Sequence, residues 1–440
     1  MSNKKVFGTN INVSKLLNSY INLINNLVNK YHIDLCFNYN NIEYNLIENS
    51  IYNNLLKLID RLKDIFDYKL PCLNNNENNI SNIDFLLCNI EKHIKNTLQI
   101  DQIYIDNLIS ENKGKRYIPI SININTYIIE NINIPSNMYF VIDKDNIIFN
   151  GQYNDIKVYN FYINTNKIQD FKGLIKNGSV NSNGLNNCLI KNLFIDGKTK
   201  GSILHHGAGW VTHKFFANGV ESILTNCYSN GDLIEDFTGG ICGSNNAHNG
   251  NITINKCYSS GNIFGKYSGG ITGNNFGENN GYVIVTNCYS LGNIGIKNNI
   301  KNGQGGICGG HCGYINSEII INNCYAIGDI NSDNSGGIVG QYSGFKSNIN
   351  IVNCYSSGLL NGINVNGIVG SNSEISGNIN ITDCYSSDNN NINDIIGSIG
   401  KLNINNWIII NKSYPILKKF RINQWDDKYY NKYNDRSKFK

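Results

Sequence analysis

The chain has 440 residues, of which 41% are hydrophobic and 16% charged, and its formal net charge is +4. That length allows two or three domains and a sizeable core, while so small a net charge speaks against a nucleic-acid surface, so no nucleic-acid partner is expected. Collagen-like, coiled-coil and disulfide-scaffold classes do not fit 43 glycines, 4 prolines and 85 asparagines, and the apolar fraction opposes full disorder.

In chain order, residues 1–115 read as a small α-helical N-terminal domain. Leu16, Leu17, Tyr20, Leu23, Ile24 and Leu27 follow helical spacing, as do Leu46, Ile47, Ile51, Leu55, Leu58, Ile59 and Leu62. A third helix is predicted from about Asn82 to Leu98, separated from the second by Pro71 and the run Asn74 to Asn76. Self-association through these helices is one expected interaction. The opening residues Met1 to Lys5 lead into no apolar stretch, which predicts no secretory signal. The 13 cysteines then read as thiols before disulfides. No apolar run approaches the roughly 18 residues of a membrane helix, so no membrane span is expected.

Residues 116–187 read as irregular β lead-in coils. Isoleucines alternate with polar residues at Ile120, Ile122 and Ile124, then at Ile132 and Ile134, with turn signals at Asn150-Gly151 and Asn177-Gly178.

Residues 188–415 carry a repeat. Cys-Tyr-Ser or Cys-Tyr-Ala recurs at Cys227, Cys257, Cys288, Cys324, Cys354 and Cys384, at spacings of 30, 31, 36, 30 and 30. Gly-Gly-Ile-x-Gly follows at Gly239, Gly269, Gly305 and Gly336, with a worn copy at Asn366. It starts 12 residues after the cysteine, but 17 after Cys288, which places an inserted loop at Ile294 to Gln304. Before each cysteine, pairs such as Ile252 and Ile254 or Ile319 and Ile321 have the period of two of a strand buried on one face. Asn226, Asn287, Asn322 with Asn323, and Asn353 occupy the two positions before the cysteine, where a corner is needed, and Asn tolerates unusual backbone angles there. Stacked corners would form an Asn ladder. A second corner falls at Gly231, Gly261, Gly292, Gly328 and Gly358, then an apolar position from Leu233 to Leu360. The glycine block adds a third strand with a buried Ile at 241, 271, 307, 338 and 368.

Three short strands and three corners per period predict a mainly β fold, a right-handed parallel β-helix with coils of about 30 residues, each about 4.8 Å above the last. Helical repeats of this length would not survive the double glycine. Cys188 opens a worn first coil, with Gly207 to Val211 standing in for its glycine block. Ile396 to Gly400 is degenerate, and Ser413-Tyr414-Pro415 falls where the next Cys-Tyr-Ser belongs, as expected of a capping copy. Residues 416–440 read as a cap and a disordered tail.

Asn-Cys-Tyr-Ser-x-Gly paired with Gly-Gly-Ile-x-Gly resembles the GLUG-type repeats of bacterial surface proteins and adhesins. Asn150-Gly151 and the stretch Phe171 to Gly178 resemble the segment that precedes such repeats. With Cys in every copy and the AT-biased excess of Asn and Ile, the chain is most similar to Asn/Ile-rich repeat proteins of mimivirus-like giant viruses. The resemblance covers roughly residues 145–400. It implies a β-helix used as a structural or attachment protein on a virion surface, or one found in host cytoplasm, with a glycan or a virion protein as partner.

Candidate chemistry is sparse. The cysteine ladder reads as buried thiols. Cys308, His311 and Cys312 form a tight cluster, but zinc needs a fourth ligand at recognisable spacing. His205, His206, His213 and His248 lie outside the repeated positions. The tyrosines after the cysteines, Tyr228 to Tyr385, would stack into a stripe, either as a stabilising ladder or as a sugar-binding face. Asp232, Glu235, Asp236, Glu278, Asp329 and Asp333 are scattered, and no Arg occurs between Arg116 and Arg421. An Arg-dependent lyase site therefore has no place in the solenoid, and a two-carboxylate site has no support. No catalytic, cofactor-binding or metal-ligating residue is assigned, no cofactor is expected, and the binding residues are unknown. The reading is a non-enzymatic structural or attachment solenoid. The alternatives are a carbohydrate-active β-helix enzyme with its site near Ile294 to Gln304 or His205 to His213, and an intracellular interaction scaffold.

Overall fold

The structure, a computed structural model, describes residues 97–153, 157–164, 171–296, 302–373, 376–386, 407–410 and 414–417. The helices expected over residues 1–96, the middle of the inserted loop and the expected disordered tail lie outside the described residues. The chain divides into two units, residues 1–97 with 152–157 and residues 98–151 with 158–440, and nearly all described residues belong to the second.

That second unit is mainly β and is wound as a solenoid. One sheet has ten strands, in chain order from Thr97–Ile100 through Asn125–Ile128, Ile148–Asn150 and Cys188–Lys191 to Asn378–Thr382. From Asn125–Ile128 onward its neighbours run parallel. A second parallel sheet has nine strands, from Ile132–Pro135 to Tyr385–Ser386. The third face starts as a parallel sheet of Ile118–Ile122, Met138–Ile142 and Ile175–Lys176. It continues as single bridges through Thr212, Cys242, Thr272, Cys308, Val339 and Val369. Each turn of chain visits all three faces, which is the expected parallel solenoid.

The phase of the repeat is as the alternation predicts. Ile319 pairs with Val283 below and Ile349 above, and all three are buried. The block isoleucines Ile241, Ile271, Ile307, Ile338 and Ile368 are buried too, Ile307 bonding through its N–H to the Ile338 carbonyl at 2.9 Å. The residue before each corner cysteine is left-handed: Asn226, Lys256, Asn287, Asn323, Asn353 and Asp383 have φ between 52° and 55°. Asn side chains bond from rung to rung, as from Asn226 to Asn192 at 3.2 Å and from Asn192 to Asn150 at 2.9 Å. Lys256 interrupts the series, and Asn287 bonds Asn255 instead, at 2.9 Å. The second corner is glycine because a Cβ at Gly261 would lie 1.9 Å from the Gly231 carbonyl oxygen.

Four features differ from the sequence reading. The lead-in coils carry full strands in register with the repeats, and the first-sheet strand Thr97–Ile100 precedes the boundary read at 116. Cys188 is not a corner cysteine: it pairs with Ser222 at a strand start, and Leu193 occupies the corner, with Phe194 opposite Tyr228. The block of that coil is shifted by two, Gly209 lying opposite Gly239. Trp210 therefore stands where a glycine is repeated, and its ring fills space left by Gly197 and Gly231, with Nε1 donating to the Gly231 carbonyl at 2.9 Å. Finally, Trp407–Ile410 pairs antiparallel with Tyr414–Leu417, so Tyr414 starts a hairpin strand rather than a further rung.

The open end of the second sheet is covered. Helix α1, Gln102–Glu111, is capped by Asp101, whose carboxylate accepts from the Tyr104 N–H at 2.7 Å. Gln102 then acts as a substitute peptide for the edge strand. Its Nε2 donates to the Asn133 carbonyl at 3.1 Å, and its Oε1 accepts the Asn133 N–H at 2.7 Å.

Candidate functional site

The motif residues of the repeat are consumed by the stack. Cys227, Cys257, Cys288, Cys324, Cys354 and Cys384 are free thiols, all buried. Each donates to the carbonyl two residues earlier, at 3.2 to 3.4 Å. The Cys257, Cys288 and Cys384 sulfurs also accept the N–H of the cysteine below, each at 3.4 Å. Burial pushes the thiols of Cys227, Cys288, Cys324 and Cys354 well above the usual range, so they stay protonated and unreactive.

The tyrosines form a ladder, not an exposed face. Ring centroids of Phe194, Tyr228, Tyr258, Tyr289 and Tyr325 follow one another at 4.4, 3.9, 4.6 and 4.8 Å, all stacked. Tyr228, Tyr258, Tyr325 and Tyr355 are buried. Five of the six scattered acids are also occupied. Asp232, Asp236, Asp329 and Asp333 accept backbone N–H groups of the next rung at 2.7 to 3.0 Å. Glu278 accepts from Asn245 at 2.6 Å and faces His248 at 3.4 Å.

The Cys308, His311 and Cys312 cluster does not converge. The two thiols interact with each other, whereas His311 Nδ1 pairs with Asn274 Oδ1 at 3.1 Å. Among the described residues no group of three His, Cys, Asp or Glu is placed to hold a metal ion.

A cleft of about 440 Å³ opens on the third face. Three successive rungs build it: Tyr139 from one, Lys172 and Lys176 from the next, His205, His206, His213 and Lys214 from the third. His213 forms its floor, 8% exposed, its ring 4.5 Å from that of Tyr139. Its Nε2 lies 3.1 Å from the Gly173 carbonyl, which can only accept, so Nε2 carries the proton. Burial, then the charges of Lys176 and Lys172, pull its pKa down to about 3, so His213 is neutral. Lys172 Nζ sits 3.7 Å from the Tyr117 ring centroid, and its hydrogen bond and charge lower that phenol's pKa. Among the described residues no carboxylate lines the cleft.

From the cleft an aromatic ribbon runs along the later rungs. His206 meets Phe237 at 4.8 Å, Phe237 meets Tyr267 at 6.0 Å, Tyr267 meets His311 at 4.9 Å, and His311 meets Tyr342 at 5.2 Å. These rings are partly exposed. Phe237, Tyr267, His311 and Tyr342 have φ of 66°, 54°, 53° and 60°, a region bulky side chains seldom occupy.

Of the predicted histidines, the structure brings His205, His206 and His213 together and leaves His248 and His311 outside the cleft. The sequence reading missed Tyr139, Lys172, Lys176 and Lys214. The ribbon was missed as well, although its phase is visible: Phe237 and Tyr267 lie two before the glycine block, His311 and Tyr342 two after its last glycine.

No family model matches the chain, and no curated protein matches it. Among solved structures it is similar to the crystal structure of "a putative immunoglobulin A1 protease from Bacteroides ovatus". Identity is 15%, the match covers 73% of this chain and 91% of that one, and the TM-score is 0.30. A likeness of that size carries no argument about fold or function.

Proposed function

We propose that the chain is a non-enzymatic attachment element, a right-handed parallel β-helix acting as a rigid rod that presents a binding surface. The observation that supports this is the use of the repeated residues. The repeated cysteines hydrogen-bond and the repeated tyrosines stack from rung to rung, and Asp232, Asp236, Asp329 and Asp333 accept N–H groups of the next rung, so these residues serve a stiff, extensible frame. The resemblance to repeat proteins of giant viruses suggests where such a rod works, on a virion surface. Immunogold labelling of purified particles, with mass spectrometry of their proteins, tests this. Gold on the particle surface supports the reading. Absence of the chain from washed particles overturns it.

A carbohydrate-active enzyme is the second reading, favoured by the cleft at His213. Among its described lining residues the cleft has no carboxylate pair of the kind that glycoside hydrolysis commonly uses. A screen for reducing-end release from a polysaccharide panel decides it: new reducing ends lost in the His213→Gln variant would replace the attachment reading.

A further inference from the structure

Three lysines gather at the cleft and aromatic rings follow along the ribbon, and this arrangement describes a ligand. Lys172, Lys176 and Lys214 line one cavity, which has no carboxylate among its described lining residues. Like charges held together in this way attract an anion of small size. A volume of about 440 Å³ lies within the range of small-ligand sites. His206 belongs both to the cleft lining and to the start of the ribbon. Beyond it the surface changes character. Phe237, Tyr267, His311 and Tyr342 carry the track along the rungs, and Lys266 Nζ lies 4.8 Å from the Tyr267 ring centroid.

We infer that this surface binds an oligosaccharide that ends in an anionic sugar, with the carboxylate, sulfate or phosphate of that terminal sugar in the lysine cleft and the neutral sugars over the aromatic ribbon. Sugar rings have an apolar face, which an aromatic ring covers while leaving the hydroxyls wet. The cost of holding bulky rings at positive φ is offset by what they contact. Single-stranded nucleic acid also combines anions with stacking rings, but it carries a charge at every residue and needs a basic groove along its whole length. Here three lysines line the cleft at one end, while in the ribbon Lys266 is matched by Asp236, whose carboxylate accepts the Lys266 N–H at 2.9 Å. That pattern favours one terminal charge followed by neutral rings.

This inference rests on the attachment reading and names its ligand. The test uses the full chain on a printed glycan array. The array holds oligosaccharides ending in uronate, sialic acid, sulfated or phosphorylated sugars, the same chains without the terminal acid, and oligo(dT). Acid-terminated chains are expected to bind, and loss of the acid is expected to weaken binding about tenfold or more. The acid types that bind identify the anion. The Lys172→Gln/Lys176→Gln double variant should lose binding to a similar extent. Tyr267→Ala and Tyr342→Ala should weaken long chains several-fold and leave the terminal acidic monosaccharide unchanged, while Tyr267→Phe restores binding. Unchanged melting temperatures show that the variants fold. Binding to no acidic glycan, equal binding with and without the acid, or tighter binding to oligo(dT) overturns the inference. Particle labelling reads the location independently. A failed array with labelled particles removes the glycan and keeps the attachment reading, and the reverse keeps the glycan.

Discussion

A corner cysteine in this fold meets a demand that alanine cannot. The backbone N–H of Cys257 is directed at the Cys288 sulfur at 3.4 Å, and that sulfur in turn donates to the Thr286 carbonyl at 3.2 Å. Replacing Cys288 by alanine leaves the Cys257 N–H unpaired in the interior, while the Thr286 carbonyl keeps the Lys256 N–H at 3.1 Å. The expected loss is about 1–3 kcal/mol, measured by denaturant unfolding of the full chain. The same burial predicts that the six corner thiols react with a thiol reagent no faster than the protein unfolds. Rapid labelling of the native chain would contradict the ladder. His213 supplies the pH counterpart. Its folded pKa of about 3 lies below the ordinary 6.5, so the unfolded chain binds the extra proton first as pH falls. Stability should be full above pH 6.5 and decline toward pH 3, by up to about 1.4 kcal/mol per pH unit. His213→Gln should flatten that part of the profile in a series of melts at different pH.

Within one rung, phase decides the cost of a substitution. Ile307 is fully buried and hydrogen-bonded at its backbone to Ile271 and Ile338, whereas Leu359 is 61% exposed. Ile307→Asp puts an unpaired carboxylate between apolar layers and should cost several kcal/mol, on the order of 3–5. Leu359→Asp should cost about 0.5 kcal/mol or less, and denaturant melts of the two variants compare them directly. Equal losses would refute the phase. This phase was readable because Cys-Tyr-Ser and Gly-Gly-Ile recur at fixed spacing and because Asn suits a left-handed corner. The lead-in coils were harder to read, since their register follows backbone hydrogen bonds rather than repeated residues. Cys188 misled for that reason: a matching residue type stood five positions before the true corner at Leu193. Of the cleft only the histidines of 205–213 were legible; Tyr139, Lys172 and Lys176 were not, because they are far from His213 in sequence and meet it by stacking. The tyrosine stripe was legible as a ladder, but its burial depends on ring-to-ring spacing that sequence does not carry.

Over the whole molecule, the stack must end somewhere, and an open edge invites further strands. Gln102 closes one end by bonding both the N–H and the carbonyl of Asn133. Gln102→Ala should lower stability by about 1 kcal/mol and raise self-association, seen as a concentration-dependent shift in sedimentation. The interior rungs have no such individuality. Since each meets its neighbours through the same residues in the same register, a rung is also a unit of inheritance. Its number can change by unequal crossing-over without disturbing what lies above or below. Deleting residues 257–287 would join Lys256 to Cys288 and set the strand Glu318–Asn322 on Asn251–Asn255, Ile319 against Ile252. That shortened chain should still fold with the β spectrum of its parent, whereas a deletion of half that length should not. Solenoid length would then be a trait that selection adjusts by counting copies, while the cleft in the first coils stays as it is.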